Sequence, residues 1–234
     1  YNLFASSNNP YHLNKKMYLL NNMNILHYDE IDNYDYQMSE LTLSCFNHPY
    51  SKKHIEKMVQ ADSRIPKWGG ELYAKENGKI IGTLGMLYPR LKTDKGIEKV
   101  GGIRNVCCRP SFSRKGVAKK LFEEAHERMM ENEVRYSFLM TSKSLVAYNL
   151  YSKLGYEDFY VYPEAFKKTK KKESDIEMKA EQDSDYVKKV YKKSIEGLRG
   201  LIIREDDYWE MAEARGWPNN DRVRIAYENN CKIG

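Results

Sequence analysis

The chain has 234 residues, of which 41% are hydrophobic and 31% are charged. This supplies enough apolar material for a core, but the longest apolar stretch, 80–88, is far shorter than the roughly 20 residues of a membrane-spanning helix. Residues 1–22 contain no continuous apolar region, so a secretory signal is not predicted. The composition therefore excludes a membrane protein and predicts a protein of the cytoplasm.

The net charge of +6 is concentrated in one short run of the chain. Five lysines within residues 167–172 supply five of the six positive charges, so the remainder carries a net charge of +1. Blocks of like charge are typical of solvated linkers, and no interleaving of aromatic and basic residues accompanies this one. The sequence therefore predicts a linker here, with a nucleic-acid-binding arm as the alternative.

The four cysteines do not show the spacing of a metal site. Cys107 and Cys108 are adjacent, and neither Cys45 nor Cys231 forms a CxxC pair. We expect no disulfide framework, no zinc ribbon and a reducing compartment.

The first part of the chain predicts two helices and a β-hairpin. Residues 1–22 show no period and are predicted as an N-terminal extension outside the fold. His48-Pro49 separates the two helices, and Asn77-Gly78 favours the type I′ turn of a hairpin. The predicted elements are a strand at 25–28, helices at 32–46 and 53–62, and hairpin strands at 71–75 and 80–88.

A strand–helix–strand–helix–strand pattern follows. Pro110 lacks an N–H donor and ends the first strand, while Ser144 is predicted to cap the second helix and Gly155 to stop it. The predicted strands are 100–108, 136–141 and 156–162, and the predicted helices are 117–132 and 144–154. This order predicts an α/β fold with a mixed sheet and helices on both faces.

A short basic loop joins the strand ending at Cys108 to the next helix. A helix start offers free N–H groups and the positive end of the helix dipole, which suit an anion. Gly116 lets a phosphate approach the backbone without a Cβ in the way, and Arg114 and Lys115 add positive charge. An ordinary strand-to-helix connection is the alternative interpretation.

Two spaced motifs make residues 24–166 resemble the GNAT superfamily of acetyl-CoA-dependent N-acetyltransferases. The family's phosphate loop, Arg/Gln-x-x-Gly-x-Gly/Ala after a V-x-V-x-P strand, is matched by 113–118 after 106–110. A later signature, roughly N-x-x-A-x-x-x-Y-x-x-x-G-F, is matched over 144–156. Ser113 departs from the usual Arg or Gln, which removes one side-chain contact to the pyrophosphate, and Ser144 replaces the common Asn.

The resemblance implies a cofactor site and a mechanism. Pantetheine would pair with backbone groups of Val106 and Cys108, and the Cys108 N–H would stabilise the oxyanion. Tyr151, a phenol that stays protonated at neutral pH, would protonate the departing thiolate, with no covalent enzyme intermediate. The residues expected to bind acetyl-CoA are Val106, Cys107, Cys108, Ser113, Arg114, Lys115, Gly116, Val117, Ala118 and Ser144.

Periodicity alone gives plainer interpretations of several of these residues. Tyr151 lies on the apolar face of its helix, as a core residue would, and the side chains of Cys107 and Cys108 are expected to pack rather than react. His126 is expected to be solvated. The general base is not identified; Glu71 and Glu98 are candidates that surface charge also explains. The loops at 66–70 and 89–95 are expected to determine which acceptor amine is used.

The C-terminal part of the chain repeats features of the first domain. Helices are predicted at 183–195 and 204–215 and a strand at 222–227, and residues 226–234 match 74–82 at five of nine positions. Tandem modules of this kind resemble the Eis-like branch of the superfamily, so we expect a natural protein that continues beyond residue 234. The predicted organisation is an extension at 1–22, a GNAT domain at 23–166, a Lys-rich linker at 167–182 and an incomplete second GNAT-like module at 183–234.

The sequence thus predicts a cytoplasmic acetyltransferase that uses acetyl-CoA and no metal. The acceptor is an amine on a small molecule, of polyamine or aminoglycoside type, or a lysine on a protein. A non-catalytic acyl-CoA-binding sensor on the same fold and a basic nucleic-acid-binding adaptor are the alternatives. No membrane partner is expected, and a homo-oligomer is left open.

Overall fold

The computed structural model describes residues 2–6, 23–46, 51–161, 168, 175–181, 183–214, 217 and 223–234. The chain divides into two compact units, one comprising Tyr1–Leu91 and Ile97–Tyr162 and the other Lys92–Gly96 and Pro163–Gly234. His48-Pro49, the predicted break between two helices, lies outside the described residues, as does the Lys-rich run except for the exposed Lys168. No helix in the described parts of the chain has the length and hydropathy needed to cross a membrane.

The helices are α1 Tyr34–Phe46, α2 Lys52–Ala61, α3 Val117–Glu131, α4 Tyr148–Lys153, α5 Ser184–Ser194 and α6 Asp206–Ala214. The strands are β1 Asn2–Ser6, β2 Asn24–Leu26, β3 Glu71–Glu76, β4 Lys79–Leu87, β5 Arg90–Thr93, β6 Gly96–Lys99, β7 Gly101–Cys108, β8 Tyr136–Met140, β9 Glu157–Tyr160, β10 Glu177–Lys179, β11 Leu201–Ile203, β12 Ile225–Glu228 and β13 Cys231–Lys232. Strands β5 and β6 fall where no strand was predicted.

The first unit is built on a seven-stranded sheet in the order β2-β3-β4-β7-β8-β1-β9. Strands β7 and β8 run parallel, while β3 and β4 form the predicted antiparallel hairpin. Asn77 and Gly78 at its turn have φ angles of 47° and 79°, as a type I′ turn requires. The predicted mixed α/β fold is therefore confirmed.

Apolar side chains cover both faces of this sheet. One core packs α3 against the sheet around Leu121, Phe122 and Ala125, all of which are fully buried. The other packs α1 and α2 against the opposite face around Leu41 and Ile55. Helices on both faces were predicted, and they leave the ends of the strands for a binding site.

Strand β1 differs from the prediction for residues 1–22. Asn2–Ser6 lie between β8 and β9 and run antiparallel to both strands. Strands β8 and β9, which α4 connects, are not neighbours in this sheet, and β1 supplies backbone partners to both. Such long-range pairing leaves no periodic signal in a short segment, which is why the sequence did not show it.

The second unit contains a three-stranded antiparallel sheet in the order β10-β12-β13. Asp183 caps α5, because its Oδ1 accepts a hydrogen bond of 2.9 Å from the Tyr186 amide. Strands β12 and β13 are joined through Asn229 and Asn230, both with positive φ, so the strand–turn–strand expected at 226–234 is present. That this unit is a second GNAT-like module stays a prediction.

Candidate active site

The parallel strands β7 and β8 separate partway along their length. Among the described residues they pair at Gly101↔Ser137 and Gly102↔Phe138 and no further. Strand β7 nevertheless continues to Cys108, so its second half has an edge that β8 does not cover. An uncovered edge presents a row of backbone donors and acceptors to a ligand.

The backbone groups of Cys108 face this open edge. The Arg109 amide donates a hydrogen bond of 2.8 Å to the carbonyl of Ile81, on the β4 side of the strand. Successive residues of a strand present their N–H and C=O groups to opposite edges, so those of Cys108 and Val106 point away from β4. These are the two residues whose backbone was expected to pair with pantetheine.

The start of α3 provides the predicted anion site. Gly116 precedes the helix with a φ of 89°, and a Cβ at this position would meet no atom of a described residue within 4 Å. Within the described residues, no acceptor is found for the amides of Gly116, Val117 and Ala118. Arg114 and Lys115 are exposed beside them. The arrangement can hold a diphosphate through backbone amides with positive charge alongside.

The two adjacent cysteines face different surroundings. Cys107 is buried in the core beneath α1, whereas Cys108 is half-buried against the α3 core. Burial raises the pKa of the Cys108 thiol to about 11, an effect that Lys115 partly opposes. A thiol with this pKa is protonated at neutral pH, which agrees with the expectation that the side chain packs rather than reacts.

Tyr151 lies on α4 in the core that α3 covers. Its ring centroid is 5.6 Å from that of Phe122 and 6.2 Å from that of Tyr156, and the residue is 7% exposed. Burial raises the pKa of its phenol. Its hydroxyl makes no hydrogen bond to any described residue, so its proton is not committed within this part of the protein.

The structure corrects the predicted role of Ser144 as a helix cap. Helix α4 begins at Tyr148, four residues later than Ser144, and its N-cap is Ala147 without a side-chain hydrogen bond. Ser142 Oγ instead accepts from the Ser144 amide at 3.3 Å and lies 2.8 Å from Ser144 Oγ. Local bonds of this type compete with helix formation, which explains the late start.

The sequence predicted no disulfide framework, and it did not indicate the one disulfide that the structure contains. Cys45, in the last turn of α1, is bonded to Cys107 on β7, although 62 residues separate them in sequence. The bond ties α1 to the strand that carries Cys108. Sequence spacing could not reveal this pair, because the two residues meet only when α1 packs on the sheet.

Thiol reactivity tests this pairing. Without reductant at pH 7, we expect the exposed Cys231 to react rapidly with iodoacetamide. Cys108 should react at least 100-fold more slowly because its pKa is about 11. Cys45 and Cys107 should be labelled only after reduction. Peptide mass spectrometry of labelled protein would measure this, and rapid labelling of Cys45 in unreduced protein would contradict the disulfide.

Glu71 is buried and His126 is half-buried, contrary to the expectation that both are at the surface. His126 Nε2 lies 2.9 Å from the Tyr156 hydroxyl, and burial lowers the pKa of the imidazole to about 4. The side chain of Glu71 is 4% exposed and lies 2.7 Å from the guanidinium of Arg104. Glu98, the other candidate base, pairs at 2.6 Å with Arg135. The sequence does not indicate that a charged residue is buried when its charge is compensated by an ion pair that forms only in the fold.

A cavity beside Glu71 was not predicted from sequence. It lies between α1, α2 and the sheet, and the hydroxyls of Tyr34 and Tyr73 meet at its wall at 2.6 Å. Its lining residues are Tyr34, Met38, Thr42, Phe46, Ile55, Glu71, Tyr73, Thr83 and Asn105.

One group of described residues has the composition of a metal site. His27, Asp29 and Glu30 bring potential ligand atoms within 4.8 Å of one another. However, Glu30 Oε2 accepts from the His27 amide at 2.7 Å, and the His27 ring lies 2.7 Å from Arg128. The first of these contacts caps a short 3-10 helix and the second ties His27 to α3, and we assign the group no ligand.

The sheet is mixed and opens between two parallel strands, beside a helix start whose amides have no partner among the described residues. These features define a class of α/β protein suited to a long phosphate-bearing cofactor. Residues 31–159 match the family described as the acetyltransferase (GNAT) domain. Because this match covers more than half of the chain, the protein belongs to the GNAT acetyltransferase family, and it is an acetyl-CoA-dependent N-acetyltransferase.

Solved structures share this fold at low sequence identity. A conserved protein of Enterococcus faecalis V583, described as a probable N-acyltransferase, superimposes with a TM-score of 0.59 and 15% identity, covering 90% of this chain and 53% of its own. The present chain thus spans about half the length of that protein. Glucosamine-6-phosphate N-acetyltransferase from Arabidopsis thaliana has a TM-score of 0.47 and 16% identity over 62% of this chain and 97% of its own.

A third structure, a transcriptional regulator from Bacillus halodurans C-125, has a TM-score of 0.49 and 17% identity over 62% of this chain and 99% of its own. At these identities the likenesses show the fold alone. No curated protein sequence matches the chain.

Proposed function

We propose that the protein transfers the acetyl group of acetyl-CoA to an amine by direct attack, with Tyr151 as the general acid. The acceptor is an amine on a small molecule, of polyamine or aminoglycoside type, or a lysine of a protein. We further propose that the reaction takes place in the cytoplasm. The observation that carries the mechanism is the open edge of β7, where Cys108 presents backbone groups that no strand of the described residues covers.

Binding begins in this proposal at the start of α3. The amides of Gly116, Val117 and Ala118 donate to the diphosphate, and Arg114 and Lys115 neutralise part of its charge. The side chain of Ser113, at the first position of the loop, has no guanidinium or amide group that could donate to the diphosphate. Backbone donors therefore carry most of the recognition, and the open edge of β7 accepts the pantetheine amides as an additional strand would.

The chemical step uses one backbone group and one side chain. The Cys108 N–H donates to the thioester oxygen and stabilises the negative charge that builds there as the amine attacks. The new C–N bond forms, the C–S bond breaks, and Tyr151 Oη gives its proton to the departing sulfur. The attacking amine loses one N–H proton to water, and the Tyr151 phenolate regains a proton from water, so the protons balance. Burial raises the pKa of Tyr151, so the phenol carries that proton across the neutral range.

Thiol release tests the proposal directly. Acetyl-CoA at saturating concentration is mixed with a panel of polyamines, aminoglycosides and lysine peptides, and free CoA is measured with a thiol reagent. We expect amine-dependent release with at least one class and an acetylated product detected by mass spectrometry. If calorimetry shows binding of acetyl-CoA but no amine is acetylated, a non-catalytic acyl-CoA sensor is favoured. An absence of saturable binding would overturn both the proposed transfer reaction and the sensor.

A further inference from the structure

A buried carboxylate lies against the point at which β7 leaves the regular sheet. Glu71 is the first residue of β3, and its Oε1 is 2.7 Å from Arg104 Nη2 and 3.4 Å from Asn105 Nδ2, which donates to it. Arg104 and Asn105 are consecutive residues of β7. One carboxylate oxygen thus contacts both.

This point in β7 is a β-bulge. Strand β4 pairs with β7 at Thr83↔Cys107 and at Gly85↔Arg104, so β7 holds one more residue than β4 over the same stretch. Asn105 has a φ of 52°, in the left-handed region that residues other than glycine seldom adopt. A bulge of this kind bends the strand and redirects the residues that follow it.

The bulge separates the two halves of β7. Before it, Gly101 and Gly102 pair with β8. After it, Val106 and Cys108 direct their backbone groups to the open edge. The orientation of the edge that would bind pantetheine therefore depends on the conformation at Asn105.

Strand β4 lies between Glu71 and Arg104, and it has a glycine, Gly85, at the point where their ion pair crosses it. A Cβ on Gly85 would lie 2.6 Å from Glu71 Oε1 and 2.8 Å from Arg104 Cγ. Only glycine leaves room for the carboxylate and the arginine stem to meet across β4. The contact of Glu71 with the bulge is thus built into three adjacent strands.

From these contacts we infer that Glu71 is a positioning residue, which holds the bulge at Asn105 and so keeps the Val106–Cys108 edge directed toward acetyl-CoA. The inference rests on the proposed function. It differs from a role as general base, because the carboxylate acts on β7 and not on the amine. Its loss should weaken the binding of acetyl-CoA more than it slows the chemical step.

The test measures both quantities for Glu71→Gln. We expect the Kd and KM for acetyl-CoA to rise about tenfold, while kcat at saturation stays within threefold and the pH profile of kcat keeps its shape. Glu124→Gln, which removes a charge from the Arg128 ion pair on α3, is the matched control and should leave both unchanged. Adding Asn105→Gly to Glu71→Gln should restore binding, since glycine adopts a positive φ without the carboxylate.

Asn105→Ala keeps Glu71 but makes the left-handed conformation at position 105 less favourable, so we expect it to raise the Kd for acetyl-CoA about tenfold as well. If Glu71→Gln does not fold, Asn105→Ala serves as the test instead. An unchanged Kd with a fall in kcat and loss of the acidic limb of the pH profile would make Glu71 the base and overturn the inference. Wild-type values in all variants would also overturn it. Failure of the wild-type protein to bind acetyl-CoA would instead refute the proposed function.

Discussion

Replacement of Tyr151 by phenylalanine should lower kcat by about 100- to 10,000-fold, the usual range for loss of a general acid. Without the phenol, the sulfur must leave as a thiolate or take its proton from water. The Kd for acetyl-CoA should stay within about threefold, because the ring remains packed against Phe122. Steady-state kinetics and calorimetry would measure the two effects separately.

The fold should tolerate this change. Since the Tyr151 hydroxyl makes no hydrogen bond to a described residue, its removal leaves no buried partner unpaired there. Tyr148→Phe is the matched control. Tyr148 lies three residues earlier on the same helix, and its hydroxyl donates a hydrogen bond of 2.9 Å to Asp158. We expect Tyr148→Phe to keep wild-type kcat. A Tyr151→Phe enzyme with wild-type kcat would remove this residue from the mechanism.

An aspartate at position 116 should weaken the binding of acetyl-CoA by about 100-fold, or about 2.7 kcal/mol. Its carboxylate would occupy the end of the helix where the diphosphate should bind, and it would repel that group. The added side chain has space, since no described residue lies within 4 Å of the new Cβ, although the φ of 89° gives any residue other than glycine a backbone cost. Isothermal titration calorimetry of Gly116→Asp with acetyl-CoA measures the loss.

Gly78→Asp provides the control for this substitution. Gly78 also has a positive φ, of 79°, and also has open space around its Cβ, but it lies at the tip of the β3–β4 hairpin. The two variants therefore carry a similar backbone cost and the same change in charge. We expect Gly78→Asp to bind acetyl-CoA with wild-type affinity. Equal affinities for the two variants would contradict a diphosphate site at the start of α3.

Local signals in the sequence predicted the parts of the fold that local chemistry determines. Asn77-Gly78 specified the β3–β4 hairpin, and the four-residue recurrence from Val117 to Met129 specified α3 within one residue of its observed ends. The basic loop with Gly116 likewise gave the start of α3, whose amides have no partner among the described residues. In each case the residue type and the backbone conformation are directly linked.

Features that depend on distant pairing could not be predicted in this way. The Cys45–Cys107 bond, strand β1 and the buried Glu71 all require the sheet to be assembled before the partners meet. Ser144 shows the converse error, because a residue suited to capping a helix forms a local bond with Ser142 instead. Periodicity reports which face a residue occupies, and it does not report which residue lies opposite.

A crystal structure of the protein with bound acetyl-CoA would show where the diphosphate binds. We expect diphosphate oxygens 2.7–3.2 Å from the amide nitrogens of Gly116, Val117 and Ala118, with pantetheine along the open edge of β7. Electron density for the diphosphate at any other place on the protein, with these amides left to solvent, would contradict this expectation.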